Sequence, residues 1–178
     1  VSQCRIEHNS FEYALNGVYA NVMVNSNISM NVFRNGEKGI DMSNCDEVNI
    51  TFNSLKDMEV GIETYYDTDN NISRNKIINC FTGMDLQRSS RINIGWNYLE
   101  DLETGINLFY SEKNQIDNNS VQRCSGNGIE IYYSQENVVE NCTVRDCATN
   151  IDGPIVSGIY IGYNSYDNLI KQNRMSNC

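Results

Sequence analysis

The chain repeats itself every 22 residues, and this feature constrains its fold more than any other. Glycines recur at that interval at Gly17, Gly39, Gly61, Gly83 and Gly105, and an asparagine follows each of them 14 residues later. Repeats of this length are typical of solenoids, in which each repeat contacts mainly its two neighbours. The sequence therefore predicts a quasi-one-dimensional array of stacked structural units.

Each repeat contains three short segments in which apolar residues alternate with polar ones. The first segment follows the glycine, as with Ile40 and Met42, the second contains one isoleucine such as Ile50, and the third follows the asparagine, as with Leu55. Alternation with a period of two residues is the pattern of β-strands, and no window favours a helix. Three short strands and their turns account for one repeat, so we predict an all-β, single-stranded parallel β-helix solenoid with three strands per rung.

The asparagine of each repeat is predicted to occupy a corner of the rung. Asparagine tolerates positive φ better than other non-glycine residues, and its amide both donates and accepts hydrogen bonds. With rungs ~4.8 Å apart, these amides would stack into an internal ladder. The predicted members are Asn9, Asn31, Asn53, Asn75, Asn97, Asn119, Asn141 and Asn173. A second, weaker column is expected four residues earlier, at Asn27, Asn49, Asn71, Asn93, Gln115 and Asn137.

The domain organisation follows from the same repeat. Residues 1–178 are expected to form a single β-helix domain of about seven to eight rungs, with a loop insertion at 148–157 that departs from the repeat. Neither terminal repeat looks like a cap, and uncapped solenoid ends expose unpaired strand edges. We therefore expect the domain to continue in a longer chain or to stack end to end on a neighbour.

Composition excludes several classes of function. The formal net charge of −10 argues against nucleic acid as a partner, because phosphate backbones require stripes of Lys and Arg. No apolar run approaches the ~20 residues that a transmembrane helix needs. The seven cysteines match no zinc-binding spacing.

The repeated motif also carries a family likeness. Gly39-Ile40-Asp41-Met42, followed by Asn49-Ile50-Thr51-Phe52-Asn53-Ser54-Leu55, resembles the right-handed parallel β-helix repeat of the pectin-lyase-like superfamily. It is most similar to NosD-type proteins and to surface proteins with the PbH1 repeat of carbohydrate-binding proteins and sugar hydrolases. The resemblance implies right-handed winding, which the handedness rule for parallel crossovers also favours. It further implies a polysaccharide or glycan partner and an extracellular, cell-surface or periplasmic location.

In enzymes of that superfamily the cleft runs along the first strand of each rung, where this chain has Asp41, Glu63 and Asp85. Carboxylates on adjacent rungs would lie ~5 Å apart, as in retaining glycosidases, and would raise each other's pKa. Two other interpretations are a solvated acidic face and a calcium site, calcium being the one cofactor considered. The superfamily's lyases and epimerases use Arg, Lys or His here, and the sequence offers only Arg88, which counts against those activities.

An aromatic strip accompanies these carboxylates. The candidate ligand-binding residues are Tyr65, Tyr66, Arg88, Phe109, Tyr110, Glu130, Tyr132, Tyr133 and Tyr163. Tyrosine combines a large apolar ring with a polar hydroxyl, which suits a sugar ligand, although the rings could equally stack on one another to stabilise the solenoid. We predict a non-catalytic module that binds glycans or serves a structural role in a larger chain or assembly. The alternative is a polysaccharide-processing glycoside hydrolase, lyase or epimerase.

Overall fold

The structure, a computed structural model, describes residues 1–147 and 156–178. Its regular elements in these ranges are all β-strands, and none of the described segments is a helix long and apolar enough to cross a membrane. The first eleven strands are β1 (Arg5–Glu7), β2 (Ser10–Glu12), β3 (Asn16–Asn21), β4 (Val24–Ser29), β5 (Val32–Ser43), β6 (Asp46–Thr51), β7 (Ser54–Tyr65), β8 (Asn71–Ser73), β9 (Lys76–Ile78), β10 (Thr82–Gln87) and β11 (Asn93–Gly95). The remaining strands are β12 (Tyr98–Leu102), β13 (Thr104–Phe109), β14 (Gln115–Asp117), β15 (Ser120–Cys124), β16 (Ile129–Tyr132), β17 (Val138–Glu140), β18 (Thr143–Arg145), β19 (Ile159–Gly162), β20 (Leu169–Lys171) and β21 (Arg174–Ser176).

The strands stack in parallel into two sheets. One sheet has eight strands in the order β1-β4-β6-β8-β11-β14-β17-β20, so every strand comes from the next rung. The other has 13 strands and combines the first and third strands of the rungs, which β5 and β7 join because each runs unbroken through 12 residues. Like residues pair across rungs, as Ile50 does with Ile72. The prediction of an all-β parallel solenoid with a repeat of about 22 residues is confirmed.

The repeated glycines are required by the close approach of neighbouring rungs. A Cβ atom built on Gly61 would lie 2.5 Å from the carbonyl oxygen of Gly83 and 2.9 Å from Cγ2 of Ile77, closer than real Cβ contacts. None of the described glycines has a positive φ, so the constraint is space rather than backbone conformation. The chain bends inward at this position, and Gly39 and Ile40 are consecutive buried residues.

A buried column of asparagine side chains connects the rungs. Oδ1 of Asn53 accepts hydrogen bonds from the backbone N–H of Asn31 at 2.9 Å and from its Nδ2 at 3.1 Å. Nδ2 of Asn53 donates to the carbonyl oxygen of Ile28 at 2.8 Å and to Oδ1 of Asn75 at 3.1 Å. Each amide therefore satisfies backbone groups of the preceding rung as well as its own polar atoms. The same bonding links Asn9, Asn31, Asn53, Asn75, Asn97 and Asn119.

The prediction that Asn141 belongs to this column is wrong. An extra residue between Cys124 and Ile129 changes the strand register from 22 to 23 residues, so Asn119 is followed by Cys142. The thiol of Cys142 lies 3.9 Å from Nδ2 of Asn119, and its backbone N–H donates to Oδ1 of Asn173 at 2.9 Å. Asn141 is exposed.

Two further expectations about the corners need correction. Positive φ occurs at the residue before each column asparagine, as at Met30 and Phe52, rather than at the asparagine itself. The second column predicted at Asn27 to Asn137 lies mostly on the outer surface. Among its predicted members Asn137 is buried, and its amide is linked by hydrogen bonds of 3.0 Å to the buried Asn114 and to the half-buried Asn168, which were not predicted.

The loop insertion predicted at 148–157 falls mainly on residues 148–155, which lie outside the described residues. Of the predicted segment, Ser157 is described, and its backbone N–H donates to Oδ1 of Asn127 at 2.5 Å. Strand β19 begins two residues later, at Ile159.

We predict that the Asn75→Ala substitution destabilises the chain by about 3–5 kcal/mol, whereas Asn141→Ala costs about 1 kcal/mol, because alanine tolerates the φ of 52° at this position less well than asparagine does. The first change leaves the N–H of Asn53 and the carbonyl of Ile50 without the partners that Asn75 supplies, both bonds being 2.9 Å. Urea unfolding followed by circular dichroism measures both variants. Equal losses in the two variants would contradict this assignment of the buried column.

Candidate functional site

The first strands of the rungs bring the predicted carboxylates together on one outer face. These strands are β3, the second half of β5, the second half of β7, and β10, β13, β16 and β19. In the sheet Asp41 pairs with Glu63, and Glu63 pairs with Asp85. Asp85 in turn pairs with Asn107, which pairs with Glu130. The three candidate acids therefore occupy consecutive rungs, and the column continues with an amide and a fourth carboxylate.

Lys38 neutralises the first part of this column. Its Nζ lies 3.5 Å from Oδ2 of Asp41 and also contacts Oε2 of Glu63. Nδ2 of Asn16 donates a second hydrogen bond to Oδ2 of Asp41 at 3.3 Å. Burial raises the pKa of Asp41, and the charge of Lys38 opposes that rise. Asp41 and Glu63, two of the three candidate acids, are thus both paired with the ammonium group of Lys38.

Strict alternation does not predict Lys38 on this face. That pattern places Lys38 on the same side as the buried residues Ile40 and Met42. The inward bend at Gly39 breaks the alternation and leaves the lysine outside. Arg88 is consequently not the one cation on this face, and the absence of other basic residues no longer counts against a lyase or epimerase activity.

Asp85 lies between two amides. Nε2 of Gln87 donates to its Oδ2 at 2.7 Å, and Nδ2 of Asn107 donates to its Oδ1 at 2.8 Å. Burial raises the pKa of Asp85, and these two hydrogen bonds lower it in part. Burial likewise raises the pKa of Glu130, which accepts a hydrogen bond from Asn127 at 2.5 Å. Both carboxyl groups can exchange a proton closer to neutral pH than an exposed acid would.

The face does not fit a calcium site. Calcium requires six to eight oxygen ligands, whereas the ammonium of Lys38 already contacts Asp41 and Glu63. Within residues 1–147 and 156–178, no three or more His, Cys, Asp or Glu side chains are grouped in a way that could hold a metal ion.

Aromatic side chains form a continuous column along the edge of the same face. The guanidinium of Arg88 lies 5.5 Å from the ring centroids of both Tyr66 and Tyr110, and its Nη1 donates to the hydroxyl of Tyr66 at 2.7 Å. Tyr110 stacks on Tyr133 with centroids 4.8 Å apart, and Tyr133 stacks on Tyr163 at 6.2 Å. We call these five residues the tyrosine column.

A second row of rings lies beside the tyrosine column. Tyr65 contacts Tyr66 edge to face at 4.5 Å, and Phe109 contacts Tyr110 in the same way. Tyr132 stacks on Tyr163 at 6.2 Å. Neighbouring rings cover much of each other's faces, so edges and hydroxyl groups are what the column presents to solvent. The surface that results is long, narrow and amphipathic.

Asp67, at the corner next to Tyr66, is a titratable residue that the repeat pattern does not predict. It is fully buried, its Oδ1 accepts a hydrogen bond from the N–H of Cys45 at 2.6 Å, and its Oδ2 has no hydrogen-bond partner among the residues that the structure describes. Burial raises its pKa from 3.8 to about 7. The following rungs have Ser89 and Ser111 at the same corner, bonded in the same way. Aligning the corners of the repeats would have shown this aspartate as the exception.

Comparison with protein families identifies one match. The profile described as "Right handed beta helix region" matches residues 1–112 and 83–178, which together span the chain. Comparison with the sequences of curated proteins gives no match.

Several solved structures share the fold. The periplasmic alginate epimerase AlgG has a TM-score of 0.73 at 18% identity, over 93% of this chain and 48% of that one. Tailspike protein 2 of bacteriophage CBA120 has a TM-score of 0.55 at 14% identity, over 96% and 39%. The A-module of the mannuronan C-5 epimerase AlgE6 from Azotobacter vinelandii has 0.52 at 11% identity, over 98% and 57%. The chain spans roughly half the length of these proteins, and identities this low establish the fold alone.

We predict that Asp67 makes the stability of the chain depend on pH. Because its folded pKa of about 7 lies above the ordinary 3.8, its contribution is complete below pH 3.8 and is lost as pH rises through 7. Between pH 5 and pH 8 the loss should amount to about 2–3 kcal/mol. Asp67→Ser, which restores the serine of the following rungs, should remove this loss. Urea unfolding at the two pH values measures it.

Asp69→Ser is the matched control for this measurement. Asp69 is exposed, and its ion pair with Arg91 lowers the pKa of its carboxyl group. It therefore stays ionised throughout the range from pH 5 to pH 8. Its removal should leave the pH dependence of the free energy of unfolding unchanged. If Asp67→Ser loses as much stability between pH 5 and pH 8 as the wild type does, another titratable group causes the loss.

Proposed function

The chain belongs to the right-handed β-helix family, with a pectin-lyase-like fold, and from that premise we propose that it binds an uncharged glycan along its first-strand face without processing it. We place this activity outside the cytoplasm, in the periplasm or at the cell surface. The binding surface would work as a rigid module within a larger chain or assembly.

The tyrosine column is the observation that carries this proposal. It runs over five consecutive rungs, or about 19 Å at the spacing of parallel strands. The carboxylates of Asp85 and Glu130 and the amide of Asn107 lie on the strands that end directly before its members Arg88, Tyr133 and Tyr110. A glycan has apolar ring faces and hydroxyl groups, and this surface offers aromatic edges, phenolic hydroxyls, amides and carboxylates within one strip.

Charge favours an uncharged glycan. The chain carries a formal net charge of −10, which repels a polyanion unless cations intervene. Arg88 supplies the single positive charge of the tyrosine column, and it already interacts with two rings and one hydroxyl. The cation nearest the carboxylates, Lys38, is paired with Asp41 and Glu63. Little positive charge therefore remains on this face for an acidic polysaccharide.

The similar solved structures support a glycan ligand and this location. Two of them are named as epimerases of alginate and of mannuronan, and the first is named as periplasmic. A third is the enzymatically active domain of a phage tailspike. In the two epimerases this scaffold is thus compatible with a polysaccharide substrate.

We predict that the double substitution Tyr110→Ala/Tyr133→Ala weakens glycan binding roughly fivefold to a hundredfold. Each aromatic contact is worth about 0.5–1.5 kcal/mol, and tenfold in affinity corresponds to about 1.4 kcal/mol. A glycan array with the wild-type chain selects the ligand, and calorimetry compares the variants. Tyr13→Ala/Phe81→Ala, which removes two exposed rings elsewhere, should bind as wild type does. No array signal, or the same affinity in both double variants, would refute the proposal.

An enzymatic function is the second candidate, favoured by the raised pKa of Asp41 and Asp85. In this alternative Asp85 would act as a general acid toward a glycosidic oxygen and Glu63 as a base. Our proposal predicts no release of reducing ends from neutral glycans and no exchange of ring protons with deuterated solvent. Turnover that disappears in Asp41→Ala/Glu63→Ala/Asp85→Ala would establish the enzyme instead, and turnover unchanged in that variant would exclude these residues.

A further inference from the structure

A groove on the eight-stranded sheet, away from the first-strand face, has a volume of about 290 Å³. Strands β8, β11 and β14 form its base, with Gly95 at the centre, Arg74 and Trp96 on one side, and Asn93, Gln115 and Asp117 among its polar lining. Its size is close to the lower end of small-ligand pockets, which hold about 300–1,000 Å³.

The groove exists because Gly95 has no side chain. Gly95 pairs with Ser73 on one side and with Asp117 on the other, in a column of outward residues that also includes Thr51. A Cβ atom on Gly95 would have its nearest contact at 3.5 Å, the carbonyl oxygen of Asp117, which is ordinary van der Waals distance. In contrast to Gly61, where a Cβ would collide with the next rung, the backbone does not require glycine here. The absence of a side chain at Gly95 instead leaves open space on the outer surface of the sheet.

Trp96 forms the rim of the groove and is left largely without packing. It is the single tryptophan of the chain, and 63% of it is exposed. Its backbone has a φ of 60°, the left-handed conformation that the residue before each column asparagine shares. The residue two rungs earlier, Phe52, is covered by the guanidinium of Arg74 at 5.4 Å. A large exposed ring beside an open groove is a surface on which a flat, partly apolar ligand can stack.

The polar lining suits hydroxyl groups rather than a net charge. The amides of Asn93 and Gln115 contain donor and acceptor atoms, as sugar hydroxyls do. Nε2 of Gln115 donates to Oε1 of Glu140 at 2.6 Å, so Oε1 of Gln115 is the atom that this residue offers as an acceptor. The carboxylate of Asp117 is oriented by Asn118, which donates at 2.6 Å, and by Asn141, which donates at 2.9 Å. The positive charge of Arg74 and the negative charge of Asp117 balance within the lining.

We propose that this groove binds one uncharged pyranose ring of a saccharide, stacked on Trp96 above the backbone of Gly95. The amides and Asp117 exchange hydrogen bonds with the ring hydroxyls. This site lies on a different sheet from the tyrosine column, and it stands whether or not that column binds a glycan.

Trp96 itself reports the binding, because no other tryptophan contributes to the fluorescence. The wild-type chain is titrated with neutral probes, namely glucose, galactose, mannose and N-acetylglucosamine and their short oligomers. We expect a saturable change in tryptophan emission with at least one of them, with a dissociation constant on the order of a millimolar. In Gly95→Thr the apparent dissociation constant should rise tenfold or more, because the threonine fills the groove as Thr51 does at the same position of its own rung.

Two controls separate this site from the first-strand face. The emission titration should be unchanged in Tyr110→Ala/Tyr133→Ala, which alters only the tyrosine column. Urea unfolding of Gly95→Thr should match that of the wild type, because the new Cβ meets no close contact. If the tyrosine double variant loses array binding while the Trp96 response persists, the two sites are independent.

Three results would overturn the proposal. The first is the absence of a saturable emission change with every neutral probe, and the second is unchanged affinity in a folded Gly95→Thr variant. The third is tighter binding of uronate oligosaccharides, titrated in the same way, than of every neutral probe, which would assign Arg74 rather than Trp96 as the main contact. None of these results bears on array binding through the tyrosine column, so the two proposals fail separately.

Discussion

The hydrogen bonds of the buried asparagine column are the interaction on which the rest of this structure depends. Each rung has a corner at which backbone groups turn away from the sheets, and burying them unpaired would cost about 1–3 kcal/mol apiece. The amide of Asn53 bonds to the preceding rung and to the next one at once. Where Cys142 replaces asparagine, the backbone bond to Asn173 remains, but the link to Asn119 lengthens to 3.9 Å.

Strict stacking has a direct consequence for function, because equivalent side chains lie one above the other in straight columns. On one face the stacking aligns Tyr110, Tyr133 and Tyr163 into a continuous aromatic surface. On the other sheet a single change in a column, Gly95 in place of serine or threonine, opens a groove beside Trp96. Chemistry on a solenoid therefore arises where successive copies differ, while identical copies maintain the scaffold.

The fold was predictable from the sequence, and part of the candidate face was predictable with it. Period and alternation determine which residues point outward, so the pairing of Asp41 with Glu63 followed from counting. Predictions from the 22-residue period and the two-residue alternation failed where the backbone departs from the repeat. The 22-residue interval from Asn119 predicts Asn141 in the core, but the extra residue before Gly128 moves that position to Cys142. The alternation left Lys38 out of the acidic column because the bend at Gly39 interrupts it.

The sequence by itself determined the parallel β-solenoid, because a 22-residue period with recurrent glycine and asparagine satisfies the backbone in that arrangement and in few others. Only the tertiary structure determined which charged groups are paired and where the surface has an open groove. The contact of Lys38 with two carboxylates, the unpartnered oxygen of Asp67 and the groove above Gly95 all depend on distances between residues of different rungs. Those distances are set by local bends and by register, and a linear pattern of residue types does not contain them.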